Sequence, residues 1–364
     1  MMNQFYMERT LNLAAKGKGF VAPNPMVGAV LVNNGQVVGE GFHKKAGGAH
    51  AEVFCLQEAG ALAKNATLYV NLEPCSHHGK TPPCAEAIIR AGVSKVVVAM
   101  EDPNPLVSGR GIKLLKDKGI EVVTGVLEDQ ARALNQVFIK YITTKKPFVA
   151  VKVASTLDGK IATKTGDSKW ITGLAAREYV HQLRSEYDSI LVGINTVLAD
   201  DPALNCRLDN PNKKDPIRIV LDSKLRIPID AKIIDSSSVA PLIIFTNANN
   251  LEKIKVLTEK GVEVIEQKGE TRVTIDFVMA KLTQKQISSV LVEGGSDIIW
   301  SFFQEGFVDK YYMFIAPKIV GGKEAVPLIG GEGIEIMDNA IKMQWQETRF
   351  LGDDLLLICY KELF

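Results

Sequence analysis

The sequence is poor in cysteine and histidine, and this scarcity narrows the kinds of protein that it can encode. Only five of each occur in 364 residues. Cysteines this few and this irregularly spaced, after an N-terminal stretch whose polar residues do not predict a secretion signal, indicate reduced thiols or metal ligands rather than a disulfide framework. Long apolar runs are also missing, since no window approaches the about 18 residues that span a bilayer. We therefore expect a cytoplasmic protein that does not enter membranes.

A strong charge excess is absent as well. The net charge is +1, and residues 1–146 carry 17 Lys and Arg against 12 Asp and Glu. A protein that coats nucleic acid would show a dense basic stripe, so we expect no nucleic-acid partner. A single phosphorylated small molecule suits the modest basic excess of the first part better.

The chain is too long for one ordinary core and fits two domains. Strand-like and helix-like segments alternate through both halves, which predicts two α/β domains with mostly parallel sheets. Asn34 and Gly35 predict a β-hairpin between the first two strands. The polar break at 143–147 predicts a boundary that separates domain 1–146 from domain 147–364.

The few cysteines and histidines are clustered, because His50, Cys75 and Cys84 fall within 35 residues of one another. A catalytic zinc ion typically has three protein ligands and one open position for water. Each of the three residues is predicted near the end of a strand or the start of a helix, where partial positive charge favours thiolates. We therefore predict a zinc site, with Glu52 as the general acid/base that moves a proton of the bound water.

Other interpretations of these residues are open. Isolated cysteines are usually buried core thiols, and an isolated histidine is often a helix cap, but the order of the cluster and its prolines favour the metal site. His77 and His78 are less favoured alternative ligands. The remaining cysteines are predicted to be core residues: Cys55, Cys206 and Cys359.

The order His-x-Glu followed by Pro-Cys-x-x-Cys is typical of zinc-dependent nucleobase deaminases. Here eight residues, SHHGKTPP, separate the two cysteines instead of two. The longer spacing argues against a nucleic-acid base editor and suggests a loop that adds substrate contacts.

The second half lacks the Gly-x-Gly-x-x-Gly pattern of a standard dinucleotide fold. It offers instead an apolar strand that enters a helix through Gly294, Gly295 and Ser296. Backbone N–H groups at such a helix start can hold a phosphate. A purely structural turn would show the same residues, so this pattern alone leaves both interpretations open.

Taken together, the motifs resemble those of the family of bifunctional riboflavin-biosynthesis deaminase/reductases. The resemblance rests on eight stretches in chain order: PNPMVGAV, GGAHAEV, EPCSHHGKTPPC, EDPNPLVSGRG, VKVASTLDGKIAT, WITG, GINTVLADDPALNCR and VEGG. It implies a cytidine-deaminase-like three-layer domain followed by a dihydrofolate-reductase-like α/β domain. A homo-oligomer is also expected.

The resemblance implies two reactions and two cofactors, Zn²⁺ and NADPH. The first is hydrolytic deamination of 2,5-diamino-6-(5-phosphoribosylamino)pyrimidin-4-one. The second is NADPH-dependent reduction of the ribosyl side chain to a ribityl chain. The expected partner is therefore a phosphorylated ribosylaminopyrimidine.

The same resemblance implies roles for residues at matching positions. Contacts to the deaminase substrate are implied for Asn24, His43, Lys80 and Thr81. Cofactor contacts are implied for Ala154, Ser168, Trp170, Thr196, Asp200, Ser223, Gly294, Gly295 and Ser296. Contacts to the reductase substrate are implied for Lys152, Arg184, Leu204, Arg207 and Glu293. The two arginines suit a phosphate, which a guanidinium binds through paired N–H donors.

Two alternatives remain at this stage. The chain could be a nucleoside or tRNA deaminase fused to an unrelated reductase-like domain, which the missing basic stripe and the longer cysteine spacing disfavour. It could also be a structural-zinc protein without turnover. Three ligands beside a glutamate disfavour that interpretation, because structural zinc sites usually have a fourth protein ligand.

Overall fold

The computed structural model describes residues 2–76, 83–105, 107–210, 213–234 and 240–361. The chain divides into two compact units, the first of which ends at Lys145 and the second of which begins at Lys146. Within the described ranges, no helix combines the length and the apolar composition needed to cross a membrane.

The first unit is a three-layer α/β domain around a sheet of strand order β2-β1-β3-β4-β5. Its strands are β1 (Gly28–Asn33), β2 (Gln36–Phe42), β3 (Thr67–Leu72), β4 (Lys95–Met100) and β5 (Glu121–Val123). Its helices are α1 (Met2–Ala15), α2 (Ala51–Ala59), α3 (Cys84–Arg90), α4 (Arg110–Asp117), α5 (Glu128–Leu134) and α6 (Gln136–Thr144). Strand β1 is antiparallel to β2 and β3, whereas β3, β4 and β5 are parallel.

Two local features of β1 and β2 position the helix that follows them. Asn34 and Gly35 adopt positive φ angles of 49° and 78°, which confirms the predicted hairpin turn. Gly41 allows α2 to lie directly on β2, because a Cβ atom at this position would be 2.4 Å from the carbonyl oxygen of Ala51. The start of α2 is thereby held against the sheet.

The second unit contains a sheet of strand order β11-β10-β9-β8-β12-β6-β13-β16-β15, parallel from β11 to β13 and antiparallel beyond it. Its strands begin with β6 (Phe148–Thr156), β7 (Lys160–Ala162), β8 (Ser189–Gly193), β9 (Ile217–Leu221) and β10 (Leu242–Thr246). They continue with β11 (Val262–Glu266), β12 (Ser289–Gly294), β13 (Lys310–Ala316), β14 (Val326–Pro327), β15 (Gln344–Leu351) and β16 (Asp354–Tyr360). Strands β7 and β14 form a separate small ribbon.

Five helices accompany this sheet among the described residues: α7 (Leu174–Glu186), α8 (Ile194–Asp200), α9 (Leu251–Glu259), α10 (Ile275–Gln284) and α11 (Ser296–Gln304). The apolar runs of β6, β8 and β12 are buried in the middle of the sheet, as expected for parallel strands covered on both faces. The carboxyl ends of parallel strands meet at one edge of a sheet, where open α/β folds bind their ligands. Lys152 to Thr156, Gly193 and Gly294 lie at such strand ends.

Candidate functional site

The three predicted zinc ligands of the first unit come together in the fold. His50 immediately precedes α2, Cys84 is the first residue of α3, and Cys75 follows the end of β3 by three residues. Their ligand atoms all lie within 4.8 Å of one another. His50 Nδ1 is 3.1 Å from Cys84 Sγ and 3.6 Å from Cys75 Sγ. One nitrogen and two sulfur donors are a set that Zn²⁺ binds.

The surroundings of the two thiols favour one thiolate before any metal binds. The hydrogen bond from Cys84 and the contact with His50 lower the pKa of Cys75 to about 4 against the opposing effect of burial. The backbone N–H of Cys84 also donates to Cys75 Sγ at 3.3 Å. The contact between the thiols, together with burial, raises the pKa of Cys84. A metal cation that replaces the shared proton would bind both sulfurs as thiolates.

Glu52 lies on α2, two residues after His50, and is buried. Burial raises the pKa of its carboxyl group. Its Oε2 atom has no hydrogen-bond partner among the described residues. Since a buried polar atom without a partner is costly, this oxygen suits a bound water or substrate beside the metal ligands. The zinc ion therefore fits the residues present.

A cavity of about 260 Å³ adjoins this cluster. Asn24 and His43, two of the residues predicted to contact the deaminase substrate, line it together with His50, Glu52 and Cys75. His43 Nδ1 is 3.0 Å from the carbonyl oxygen of Ala49 and donates to it. Burial lowers the pKa of His43, so the neutral ring accepts at Nε2 from the Asn24 amide, 3.2 Å away.

Four of the residues named from the sequence fall outside the part of the chain that the structure describes. Lys80 and Thr81 lie outside the described residues, as do the alternative ligands His77 and His78. Among the other cysteines, the predicted core residues Cys55, Cys206 and Cys359 are buried.

In the second unit, a cavity of about 440 Å³ brings together all five residues predicted to contact the reductase substrate. Four residues predicted on the cofactor side line it too: Ser168, Trp170, Thr196 and Asp200. Glu293 accepts from Arg184 Nε at 2.7 Å and from Arg184 Nη2 at 2.9 Å. Lys152 Nζ lies 3.2 Å from the same carboxylate. Burial alone would raise the pKa of Glu293, but Arg184 and Lys152 lower it to about 2.

Arg207 contacts His181, a residue for which the sequence analysis predicted no role. Its backbone N–H and its Nε each lie 3.3 Å from a ring nitrogen of His181 on α7. Burial and the adjacent Arg184 and Arg207 lower the pKa of His181 to about 4, so the ring is a neutral acceptor. A neutral imidazole accepts at one nitrogen only, so only one of these two contacts is a hydrogen bond.

A second cavity, of about 460 Å³, contains the predicted cofactor residues Ser223 and Gly295. Three cationic residues that the sequence did not single out also line it: Lys224, Arg226 and Arg272. The sequence signal for Lys224 and Arg226 is the basic run Ser-Lys-Leu-Arg shortly after β9, and Arg272 lies outside that run. Cations beside a helix start are what the phosphates of NADPH require, so this cofactor fits the residues present.

Three predicted cofactor residues, Ala154, Gly294 and Ser296, are outside the described lining of both cavities. Ala154 lies on β6, two residues beyond Lys152, and Ser296 begins α11. Gly294 packs closely against Thr196, because a Cβ atom at this position would be 3.0 Å from Thr196 Oγ1.

Two family models match the chain, one over each unit. The model described as the RibD C-terminal domain matches residues 147–357, which is more than half of the chain. The chain belongs to the RibD family. The model described as the cytidine and deoxycytidylate deaminase zinc-binding region matches residues 1–100.

Members of the RibD family are similar to this chain along its whole length. The riboflavin biosynthesis protein RibD of Aquifex aeolicus is 48% identical over 352 residues, which cover 97% of this chain and 96% of that protein. The structure of Acinetobacter baumannii RibD has a TM-score of 0.87 at 40% identity, with 98% of each chain covered. A structure from Thermotoga maritima has a TM-score of 0.86 at 38% identity, with 99% of this chain and 98% of that chain covered. That protein is described as a diaminohydroxyphosphoribosylaminopyrimidine deaminase/5-amino-6-(5-phosphoribosylamino)uracil reductase.

Membership of the RibD family makes the chain a bifunctional enzyme of riboflavin biosynthesis, a deaminase followed by a reductase. It confirms the predicted fold class, with a deaminase-like domain ahead of a reductase domain. It also confirms the two predicted cofactors, zinc and NADPH.

Proposed function

We propose that the first domain, residues 1–146, hydrolytically deaminates 2,5-diamino-6-(5-phosphoribosylamino)pyrimidin-4-one. The second domain, residues 147–364, then reduces the ribosyl side chain of the product to ribityl with NADPH. The name of the Thermotoga maritima relative, a deaminase and reductase of such compounds, supports this substrate. The observation that carries the proposal is the cluster of His50, Cys75 and Cys84 beside the unpartnered Oε2 of Glu52.

In the deaminase, His50, Cys75 and Cys84 would hold zinc, which would supply Lewis-acid activation of water. Glu52 would transfer one proton of the attacking water to the amino group, which departs as ammonia, and the other to the ring nitrogen, so that a carbonyl oxygen takes the place of the amino group. Asn24 and the neutral ring of His43 orient the pyrimidine. Both belong to the lining of the adjoining cavity. Further contacts from Lys80 and Thr81 stay predictions.

In the reductase, bound NADPH would supply a hydride to the ribosyl carbon, whose bond to the ring oxygen breaks as that oxygen gains a proton. Glu293 fixes Lys152 by a contact of 3.2 Å, which leaves the remaining ammonium protons for an oxygen of the ribosyl chain. Arg184 donates to Glu293 and, through Nη1, to the carbonyl oxygen of Asn205. Because these donors are engaged, we assign the substrate phosphate to Arg207, and Leu204 contacts the substrate beside it.

The cofactor side of the reductase is assigned to the remaining predicted positions. Ser168, Trp170, Thr196 and Asp200 share a cavity with the substrate residues, and Ser223 and Gly295 share the cationic cavity. Roles for Ala154, Gly294 and Ser296 stay predictions. A cytoplasmic location, a homo-oligomeric assembly and the absence of nucleic-acid and membrane partners stay predictions as well.

The experiment combines metal analysis with a two-stage assay of ammonia release and NADPH oxidation. The unsubstituted chain should hold about one zinc ion and catalyse both stages. Glu52→Gln should lower ammonia release by about 10²–10⁴-fold, because general acid/base catalysis is lost, while zinc content is retained. Glu58→Gln, which removes an exposed carboxylate from the same helix, is the matched control.

Two results would contradict the proposal. Zinc binding by the unsubstituted chain without either activity would leave a metal site with a different function. Loss of zinc and of the folded state in Glu52→Gln would favour a structural role for this residue.

A further inference from the structure

A second buried carboxylate lies beside the metal ligands, outside every role assigned above. Glu73 follows β3 and precedes Pro74 and Cys75, and its relative exposure is 3%. Its two oxygens accept four backbone hydrogen bonds of 2.8–3.2 Å, from the N–H groups of Asp102, Gly109, Gly111 and Ile112. One side chain thus satisfies donors of the loop after β4 and of the first turn of α4.

This segment, which we call the pocket wall, consists of residues 102–105 and 107–112, that is, the loop and the first turn of α4. It lines the deaminase cavity through Asp102, Asn104 and Val107. It also packs against the chain directly ahead of the metal ligand Cys75, because a Cβ atom on Gly111 would be 1.9 Å from the carbonyl oxygen of Pro74. The pocket wall and the metal cluster are therefore joined through Glu73 and Pro74.

The carboxylate is chemically suited to this task. An ionised carboxylate is an acceptor only and offers about four lone-pair positions, and here four N–H donors occupy them. Hydrogen bonds to a charged acceptor are roughly twice as strong as those between neutral groups. A glutamine side chain in the same place has only one acceptor oxygen. Its NH2 group would face two of these backbone N–H groups, which would then have no acceptor.

We propose that Glu73 is a positioning residue of the deaminase, which holds the pocket wall against the metal cluster and thereby determines the affinity for the pyrimidine substrate. This inference rests on the proposed deaminase function. Among the described residues, Glu73 accepts backbone donors only, so its removal should alter where the substrate sits more than the proton transfer at Glu52.

The test compares steady-state deamination by Glu73→Gln and by the unsubstituted chain, with ammonia release from the diaminopyrimidinone ribosyl phosphate as the readout. Two N–H groups lose their acceptor, so we expect KM to rise about 10- to 100-fold. The value of kcat and the zinc content should stay within about twofold of the unsubstituted chain, since the acid/base group and metal ligands are unchanged. Glu86→Gln, on α3 close to Cys84, is the matched control and should keep the original KM.

A second variant disturbs the pocket wall without changing Glu73 itself. Gly109 has a φ of 73°, a left-handed conformation that an alanine adopts only at a cost of roughly 1–2 kcal/mol. Gly109→Ala leaves Glu73 and the metal ligands in place, and it should also raise KM, by about 5- to 20-fold. NADPH oxidation with the deaminated compound, measured on the same chains, should be unchanged in all variants.

Three results would overturn the inference. The first is an unchanged KM in Glu73→Gln, or in Gly109→Ala if the former does not fold. The second is a loss of kcat that parallels a loss of zinc at constant KM, which would make Glu73 a support of the metal cluster alone. The third, no ammonia release by the unsubstituted chain, would refute the proposed function itself.

Discussion

Two buried glutamates show how the surroundings of one residue type decide its role. No cation contacts Glu52 among the described residues, and burial raises the pKa of its carboxyl group. Glu293 is equally enclosed, but Arg184 and Lys152 outweigh burial and lower its pKa to about 2. A carboxyl group with a raised pKa can exchange protons near neutral pH, whereas one with a lowered pKa stays an anion. The first suits acid/base catalysis, and the second suits the fixing of cations.

Glu293→Gln is expected to destabilise the second unit. The substitution leaves the guanidinium of Arg184 and the ammonium of Lys152 in a buried place without their anion. Breaking a buried ion pair by removing one partner costs about 3–5 kcal/mol. Denaturant unfolding at pH 7 should show this loss, while Glu347→Gln, at an exposed ion pair with Arg349, should change the free energy of unfolding by less than about 1 kcal/mol.

A comparison of the unsubstituted chain with Glu293→Gln also tests the role of this charge by its pH dependence. Because the pKa of Glu293 is lowered from 4.5 to about 2 by folding, its contribution to stability is full above pH 4.5 and is lost as the pH falls towards 2. The difference in unfolding free energy between the original chain and Glu293→Gln should therefore shrink over that interval. A difference that is constant from pH 7 to the acid limit would show that the charge of Glu293 is not what stabilises the unit.

At the scale of elements, the contact of α2 with β2 determines where the metal cluster forms. Gly41 lies under the first turn of this helix, and its missing side chain lets the helix backbone approach the strand. His50 precedes that turn and Glu52 lies within it. A displacement of the helix start would therefore move a metal ligand and the acid/base residue together.

Gly41→Ala should impair the deaminase through this contact. The new methyl group would meet backbone atoms of Ala51 and Cys55 at 2.4 and 2.8 Å, so the helix itself must shift. We expect destabilisation of the first unit by about 1–3 kcal/mol and at least a tenfold loss of ammonia release with weaker zinc retention. Gln36→Ala, at the exposed start of β2, is the control, and full zinc content with unchanged ammonia release in Gly41→Ala would contradict the argument.

The sequence predicts most elements because their patterns are local. The apolar runs of β3, β4, β6 and β12 indicate buried strands. The metal ligands could be predicted because prolines and residue spacing mark the strand ends and helix starts. Strand β15 was missed, since all but one of its residues are exposed and no buried face creates an alternation. The hydrogen bonds that Glu73 accepts from the pocket wall were not predicted either, because the donors lie 29–39 residues further along the chain.

At the scale of the whole molecule, each unit has its own core and its own candidate site. The core residues of the first unit lie between Tyr6 and Ile139, and those of the second unit lie between Val149 and Cys359. The residues that line the deaminase cavity all belong to the first unit, and those that line the two reductase cavities all belong to the second.

Two inactive variants should therefore complement each other in a mixture. Glu52→Gln retains the reductase site, and Lys152→Met retains the deaminase site, so each alone should convert the diaminopyrimidinone only halfway or not at all. Mixed, they should oxidise NADPH after a lag that shortens as the Lys152→Met protein is increased, because the deaminated compound diffuses from one chain to the other. If the mixture stays far below the unsubstituted chain even with each variant in excess, the intermediate must pass within a single chain, and independent sites would be the wrong description of this enzyme.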